Sequence, residues 1–290
     1  MKVAGFSFIK NAVKFQYPIA EALLSILPLC DEVVVAVGNS EDNTREIVAS
    51  VHPKIRILDT VWDESLKQGG RVLAAETDKA FKAIGSDADW CIYIQGDEVM
   101  HEEGHAEVQD AMHKWKDAAN VDGLLFKYRH FYGSFDYLGA SSKWYRNEIR
   151  VIKNDKRIYS YRDAQGFRKG SNEKLRVKQL KAFIHHYGWV RQPEAMQAKS
   201  NNFGRYWNGD EWGDKAQKTY TGPFDYAHID ALEKFTGAHP AVMRQRVAQM
   251  NWKFDYDLSY NNLKLKDRFK NSVEKITGKR LFDYKNYVIV

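Results

Sequence analysis

Short apolar runs alternate with segments of helical apolar spacing through the first third of the chain. The runs predict β-strands at residues 3–9, 33–37, 55–58 and 91–95, and the helical spacing predicts α-helices at residues 17–27, 43–51 and 72–84. This alternation is typical of an α/β fold, in which helices cover both faces of a mainly parallel sheet. Ligands of such sheets bind beyond the carboxyl ends of the strands, so we expect the functional residues there.

The pattern changes along the second half of the chain. A helix is predicted at residues 102–118, and two more strands of the sheet are predicted at 123–128 and 148–153. Helical patterns then follow at 194–206, 229–235 and 240–252. Gly, Asn and Asp separate these last helical patterns. We therefore predict a sheet domain over residues 1–193 and a helical C-terminal extension over residues 194–290.

Composition and charge narrow the class of partner. Hydrophobic residues make up 44% and aromatic residues 13% of the chain, which indicates a folded protein with flat binding surfaces. The formal net charge of +6 favours an anionic partner, such as a diphosphate, a nucleic acid or an acidic membrane surface. Much of the excess lies near the C-terminus, in Lys264, Lys266, Arg268, Lys270, Lys275, Lys279, Arg280 and Lys285. These residues either coat a solvated helix or make peripheral contact with a membrane.

The expected compartment is the cytoplasm. Cys30 and Cys91 lie in apolar stretches, which predicts buried thiols in a reducing environment. The longest apolar candidate, residues 19–30, is interrupted by polar residues and a proline and is too short to cross a bilayer. The N-terminus leads directly into a predicted strand and does not have the pattern of a signal peptide. We expect a cytoplasmic protein, with the inner face of the membrane as an alternative location.

Polar residues follow three of the predicted strands. The positions expected to meet a ligand are Ser7, Ile9, Asn11, Ser40, Asp42, Gln95, Gly96 and Asp97. Asp97 is the sharpest of them, because a carboxylate at a strand end can bind Mg²⁺ or Mn²⁺ together with substrate phosphates. Gly96 would let the backbone approach a ligand closely. The alternative is that Asp97 only caps the helix that follows.

Two of these segments resemble the inverting glycosyltransferases of family 2, which have the GT-A fold. Residues 33–44 are similar to the strand of that family that ends in D-D-G-S-x-D-x-T, and residues 94–98 are similar to its D-x-D site. Gln95 stands at the first aspartate of that site, and Asp97 matches the second. The resemblance implies transfer of a sugar from a nucleotide diphosphate donor, with a UDP-sugar as the first guess, to a saccharide or lipid-linked glycan. It also implies that Asp97 binds a divalent cation, Mn²⁺ or Mg²⁺, that bridges the donor diphosphate.

A second cation ligand is expected from a later part of the chain. Residues 145–151 and 161–168 resemble the family members that build cell-surface glycans, whose sheet then closes with a histidine. Here that histidine is His185 or His186, and we favour His186. The prediction is that Asp97 and His186 share one cation.

The reaction also needs a base to take the proton of the acceptor hydroxyl. We predict Asp163, which lies in the second of the later resembling segments, with Glu148 and Glu173 as rivals. The alternative for Asp163 is a loop residue that bonds its own backbone. Lys67 and Arg71 are expected to help neutralise the departing diphosphate.

Two other functions compete with sugar transfer. His101, Glu102 and His105 satisfy H-E-x-x-H, the pattern in which two histidines bind zinc and the glutamate activates water. Gly104 weakens the helix that this pattern needs, and a third histidine does not follow at the extended spacing. The other competitor is a non-catalytic module that binds nucleic acid through a basic surface. The basic residues are dispersed except at the C-terminus, so we do not expect a nucleic-acid partner.

Overall fold

A computed structural model describes residues 1–208, 222–260, 262–277 and 284–290. Within these residues the strands are β1 (Val3–Ile9), β2 (Glu32–Gly38), β3 (Ile55–Thr60), β4 (Trp90–Tyr93), β5 (Glu98–Met100), β6 (Gly123–Tyr132), β7 (Tyr137–Gly139), β8 (Asn147–Lys153), β9 (Ile158–Tyr161), β10 (Gly166–Lys169), β11 (Glu173–Trp189), β12 (Leu232–Lys234) and β13 (Tyr287–Ile289). The α-helices are α1 (Ile19–Ile26), α2 (Thr44–Val51), α3 (Arg71–Lys82), α4 (His105–Trp115), α5 (Pro193–Asn208), α6 (Arg244–Ala248) and α7 (Leu265–Thr277).

The strands form one sheet with the order β3-β2-β1-β4-β8-β6-β11-β10-β9. Neighbours among the first four strands are parallel, so their carboxyl ends meet at one edge. β8 runs antiparallel between β4 and β6, and β6 pairs in parallel with β11. The predicted α/β class is confirmed by this sheet and its helices.

Strand residues alternate between two apolar cores, one on each face of the sheet. In β2, Val33, Val35 and Val37 face the core that α1, α2 and α4 cover. Val34 and Ala36 face the core that α3 covers. Burial on both faces explains why β2 is a continuous apolar run, as parallel strands in such sheets usually are. Cys30 and Cys91 are buried free thiols, as the sequence predicted.

The part of the chain beyond residue 193 is helical only in places. The helix predicted at 194–206 is confirmed by α5. The helix predicted at 229–235 is wrong, because Leu232–Lys234 forms β12 and pairs with β7. The segment 240–252 contains only a short 3-10 turn and α6. β13 returns to the main sheet beside β11.

No helix in the described ranges is long and apolar enough to span a membrane. The basic C-terminal cluster belongs partly to α7, which begins at Leu265. Two of its predicted members, Lys279 and Arg280, lie outside the described residues.

Candidate active site

A cleft of about 780 Å³ opens at the carboxyl ends of β1 and β4 and is covered on one side by α5. It collects most of the predicted site residues. Those lining it are Ile9, Asn11, Lys67, Gln95, Gly96, Asp97, Asp163 and His186. Further residues on its wall, which the sequence did not single out, include Trp62, Tyr145, Trp189, Lys199 and Tyr206.

Asp97 and His186 come together in this cleft, although they lie far apart in the sequence. β5 pairs antiparallel with β11 so that His186 stands opposite Glu98, the residue after Asp97. His186 Nε2 lies 3.8 Å from Asp97 Oδ1. Burial is the largest single effect and opposes ionisation of Asp97, but Lys199, His186 and Arg191 together outweigh it, and the pKa of this carboxyl falls to about 2. Asp97 is therefore a carboxylate at neutral pH.

A chain of hydrogen bonds orients the imidazole of His186. His130 Nε2 lies 2.8 Å from the backbone carbonyl of Tyr145, so this nitrogen must carry the proton. Burial lowers the pKa of His130 well below its usual value, so the ring is neutral and its Nδ1 accepts. His186 Nδ1, 3.0 Å away, then donates to His130. His186 Nε2, the other ring nitrogen, is therefore unprotonated in the neutral ring, and its lone pair lies on the side of Asp97.

Asp97 and His186 consequently fit a divalent cation by their chemistry. A carboxylate oxygen and an unprotonated imidazole nitrogen that a further group orients are common ligands. The described part of the chain has no group of three or more His, Cys, Asp or Glu side chains placed to hold a metal ion. Two protein ligands suit a cation that also binds substrate phosphates and water.

Lys199 and Arg191 are buried cations beside Asp97 that the sequence did not reveal. Lys199 Nζ donates to Asp97 Oδ2 at 3.2 Å and to the carbonyl of Gly188 at 2.8 Å. Arg191 donates to the carbonyls of Phe15 at 2.6 Å and Gly188 at 3.1 Å. A side chain at Gly188 would collide with His186, because a Cβ there would lie 2.5 Å from its Cε1. The absence of a side chain at Gly188 thus leaves room for His186 and Asp97 to come together.

Asp163 lies in the tight turn between β9 and β10. Its neighbours Arg162 and Ala164 have φ angles of 57° and 63°, a left-handed conformation that is uncommon for residues with a side chain. The side chain of Gln95 supports this turn by donating to the carbonyl of Ala164 at 3.1 Å. Burial raises the pKa of the Asp163 carboxyl above its usual value. Such local strain is often found at functional sites.

A groove of about 760 Å³ shares part of this turn with the cleft. Asp163 and Gln165 line both cavities. Arg71, a predicted helper at the diphosphate, lines the groove and is not among the residues that line the cleft. Lys67 does line the cleft, where it pairs with Glu64.

Ser7, Ser40 and Asp42 are not among the residues that line the cleft, and each bonds to nearby backbone. Ser7 is buried and donates to the carbonyl of Ile94 at 2.6 Å, which ties β1 to β4. Ser40 Oγ accepts from the backbone N–H of Asn11 at 3.0 Å. Asp42 accepts from the backbone N–H groups of Lys14 at 2.8 Å and Thr44 at 3.1 Å. These strand-end residues shape the site through the backbone of the Asn11 loop.

The rivals of Asp163 are not among the residues that line either cavity. Glu148 is buried, and its carboxylate accepts from the backbone N–H of Ile149 at 2.9 Å. Burial raises the pKa of Glu148 to about 7. Glu173 begins β11 at an exposed position opposite Lys169. His185, the rival of His186, is buried and bonds to Arg129 and Tyr187.

The geometry of the H-E-x-x-H segment does not favour zinc binding. His101 precedes a 3-10 turn, and His105 begins α4. His105 Nε2 bonds to the carbonyl of Ser25 at 2.8 Å, and His101 Nε2 bonds to that of Ala238 at 3.2 Å. Glu102 accepts from the backbone N–H of Ala241. All three side chains thus connect α4 and its preceding turn to neighbouring backbone.

The chain thus has an α/β fold with a cleft at the carboxyl edge of its sheet. No protein-family profile matches the chain, and no curated protein sequence matches it. Among solved structures it is similar to S. aureus TarS 1–349 in complex with UDP-GlcNAc, at 16% identity over 76% of this chain and 72% of that one, with a TM-score of 0.42.

Two further similarities are comparable or weaker. A second structure of S. aureus TarS 1–349 gives 17% identity and a TM-score of 0.42, over 71% of this chain and 65% of that one. Glucosyl-3-phosphoglycerate synthase from Mycobacterium tuberculosis, in complex with Mn²⁺, UDP and phosphoglyceric acid, gives 16% identity and a TM-score of 0.31, over 44% and 43%. At these scores the α/β class rests on the chain's own strands and helices.

Proposed function

We propose that the chain is a glycosyltransferase of the GT-A type, which moves a sugar from a nucleotide diphosphate donor to a hydroxyl of a saccharide or lipid-linked glycan with inversion. A UDP-sugar is the first candidate donor. The observation that carries the proposal is the junction of two cavities at Asp163. The cleft has the residues for the donor diphosphate, and the groove has room for an acceptor. A carboxylate therefore stands between the two expected reactants.

In a single displacement, the acceptor oxygen attacks the anomeric carbon while the bond from that carbon to the diphosphate breaks. The proton of the acceptor hydroxyl passes to a base, a role that we assign to Asp163. Burial raises the pKa of Asp163, which makes its carboxylate a stronger base than an exposed one. Glu148 is the weaker candidate because it is not among the residues lining either cavity.

The donor diphosphate is assigned to the end of the cleft that contains Asp97 and His186. These two residues would hold the divalent cation, and imidazole favours Mn²⁺ over Mg²⁺. When bound, the cation would supply positive charge opposite the departing diphosphate. Asn11 and Lys67 line the same cleft and are the remaining candidates for donor contacts.

The first experiment is a screen of nucleotide sugars for binding and slow hydrolysis in the presence of Mn²⁺, beginning with UDP-glucose and UDP-GlcNAc. We expect at least one to bind and to be cleaved. Asp163→Asn should lower the cleavage rate by about 10²–10⁴-fold, since a general base contributes that much, and should leave donor affinity near that of the wild type.

Asp110→Asn is the control. Asp110 is exposed on α4 and is not among the residues that line either cavity. Its cleavage rate should stay close to that of the wild type. An unchanged rate in Asp163→Asn would remove Asp163 from the mechanism. Failure of every nucleotide sugar to bind would contradict the proposed function itself.

A further inference from the structure

Lys199 places a buried ammonium group where a cation is expected at Asp97. Its side chain is 11% exposed, and its Nζ lies 3.2 Å from Asp97 Oδ2. Its only other acceptor among the described residues is the carbonyl of Gly188 at 2.8 Å, and a second buried cation, Arg191, donates to the same carbonyl at 3.1 Å. A buried ammonium group has lost most of its hydration, so it depends on these two oxygen acceptors.

Positive side chains outnumber the free carboxylates immediately around Asp97. Lys199 and Arg191 both act on this carboxylate. The next carboxylate along the chain, Glu98, is already paired with Arg150 at 2.7 Å. Arg191 Nε is buried without a hydrogen-bond partner among the described residues. Two buried cations that share one carboxylate leave a positive site, which favours the binding of an anion.

We propose that Lys199 exchanges partners during donor binding: it neutralises Asp97 in the empty cleft and binds diphosphate oxygens of the donor after a divalent cation has replaced it at Asp97. This inference rests on the proposed function. It adds a specific donor-binding residue to the cleft. It also makes Lys199 a competitor of the cation that the donor needs.

The surroundings of Lys199 allow this exchange. Its second acceptor is the backbone carbonyl of Gly188, which does not involve Asp97. Its Nζ also lies 5.0 Å from the ring centroid of Tyr17 and 5.3 Å from that of Phe203, so aromatic faces can support the charge in a second position. Lys199, Tyr17 and Phe203 all line the cleft. The ammonium group therefore remains in the cleft when it leaves Asp97.

Removal of the Lys199 charge should change the affinities for Mn²⁺ and for UDP in opposite directions. Without Lys199, Asp97 loses the one cation that donates a hydrogen bond to it among the described residues, so Mn²⁺ alone should bind more tightly. UDP in saturating Mn²⁺ should bind more weakly, because it loses a charge-assisted hydrogen bond. A residue that only stabilised the fold would weaken both ligands.

The experiment is isothermal titration calorimetry with Mn²⁺ alone and then with UDP in saturating Mn²⁺. Lys199→Met should lower the Kd of Mn²⁺ by roughly fivefold or more. It should raise the Kd of UDP by roughly tenfold or more. Lys199→Gln is a second variant in case the thioether disturbs packing. Lys82→Met is the control, because Lys82 is exposed at the end of α3.

The outcomes separate this inference from the proposed function. An unchanged or raised Kd for Mn²⁺ in both Lys199 variants would overturn the competition. An unchanged Kd for UDP would overturn the diphosphate contact. If the wild type binds Mn²⁺ but no nucleoside diphosphate, the proposed function and the diphosphate contact both fail, and the Mn²⁺ titration still decides the competition. If the wild type binds no Mn²⁺, the exchange is overturned.

A separate observation concerns α7, whose outer face is apolar. Leu265, Phe269 and Ile276 are 83%, 62% and 85% exposed. At about 100° per residue, they lie within roughly 40° of one another around the helix. They form an apolar stripe on the outside of the molecule, and the exposed Ser272 is the one polar residue within it among the described residues.

The opposite side of α7 attaches the helix to the body of the protein. Asp267 accepts a hydrogen bond from Ser142 at 2.7 Å, and Asn271 donates to the carbonyl of Ala140 at 3.0 Å. Glu274 accepts from Arg146 at 3.3 Å. The helix is thus held with its apolar stripe facing outward.

We infer that this stripe, together with the basic residues beside it, docks on an anionic phospholipid surface. Lys264 and Lys266 are exposed, and Arg268 and Lys270 continue the basic sequence along the helix. An outward apolar stripe next to Lys and Arg is the pattern of helices that lie in the membrane interface. The positive charge complements anionic headgroups and selects them over a neutral surface.

The test is co-sedimentation of the full chain with vesicles of phosphatidylcholine alone or mixed with phosphatidylglycerol. We expect binding to the mixed vesicles that weakens with added salt. The triple variant Leu265→Ser, Phe269→Ser and Ile276→Ser should lose it. Val61→Ser is the control, since Val61 is 72% exposed but lies elsewhere.

Two results would overturn this docking surface. The first is that the wild type does not bind the mixed vesicles, or that the triple variant still binds them. The second is a dimer, measured by analytical ultracentrifugation, that the triple variant abolishes, which would mean that a second copy of the chain covers the stripe.

Discussion

Glu148 is a buried carboxyl group whose charge changes near neutral pH. Burial raises its pKa from 4.5 to about 7, so the folded state holds a proton that the unfolded state releases between these values. Its contribution to stability is complete below pH 4.5 and is lost as the pH rises through 7. A shift of this size corresponds to a few kcal/mol at most, about 1.4 kcal/mol per pKa unit.

Glu148→Gln should therefore increase the free energy of unfolding at pH 8.5 and change it little at pH 4.5. The amide resembles the protonated acid and carries no charge. Urea denaturation of both proteins at the two pH values measures the difference. An equal difference at both pH values would mean that the pKa of Glu148 is not raised. Sugar transfer in this variant should persist if Asp163 is the base.

The sequence predicts single residues well only where the strand order alone determines their position. Asp97 and Asn11 follow parallel strands, so the pattern predicts that they reach one edge. Lys199 has no such signal, because a lysine in a helical pattern usually points to solvent. It is buried because α5 folds over the cleft. Ser40 and Asp42 stay predicted ligand contacts, and the sequence did not reveal that their oxygens accept hydrogen bonds from the backbone of Asn11 and Lys14.

At the scale of elements, a buried ion pair joins β5, β6 and β8. Glu98 binds Arg150 through two contacts of 2.7 Å and accepts from the hydroxyl of Tyr128 at 2.8 Å. Arg150→Met should lower the free energy of unfolding by about 3–5 kcal/mol, because the Glu98 charge would remain buried without a partner.

The double variant Glu98→Gln and Arg150→Met should recover part of that loss, since it removes both charges. Chemical denaturation of the wild type, the two single variants and the double variant gives the coupling energy. A double variant whose loss equals the sum of the single losses would show that the two side chains are not coupled.

Long and regular elements are predictable from the sequence, whereas strands that depend on partners are not. β1, β2 and α3 follow their apolar patterns closely. β11 spans 17 residues, but its alternation is interrupted where its register with β6 shifts between Gln179 and Phe183. The segment 229–235 has helical spacing, yet β12 forms there because β7 offers an edge to pair with. Such short segments take the structure that their neighbours impose.

At the scale of the whole molecule, several contacts connect the chain beyond residue 193 to the sheet. β13 pairs with β11, and β12 pairs with β7. Arg246 binds Glu21 of α1 at 2.7 Å. The boundary predicted at residue 193 stays a prediction, but these contacts favour one cooperative unit, because their loss would expose a sheet edge and leave a half-buried ion pair broken.

We therefore expect the full chain to unfold in a single transition. Differential scanning calorimetry should give one peak whose calorimetric and van't Hoff enthalpies agree. Arg246→Ala removes one connecting ion pair and should shift this peak to lower temperature without splitting it. Glu46→Ala is a suitable control, because Glu46 is exposed on α2 and belongs to the sheet region. Two separate peaks, with only one of them shifted by Arg246→Ala, would mean that residues 194–290 unfold independently. In that case α5 would be able to leave the cleft and take Lys199 with it while the sheet stays folded.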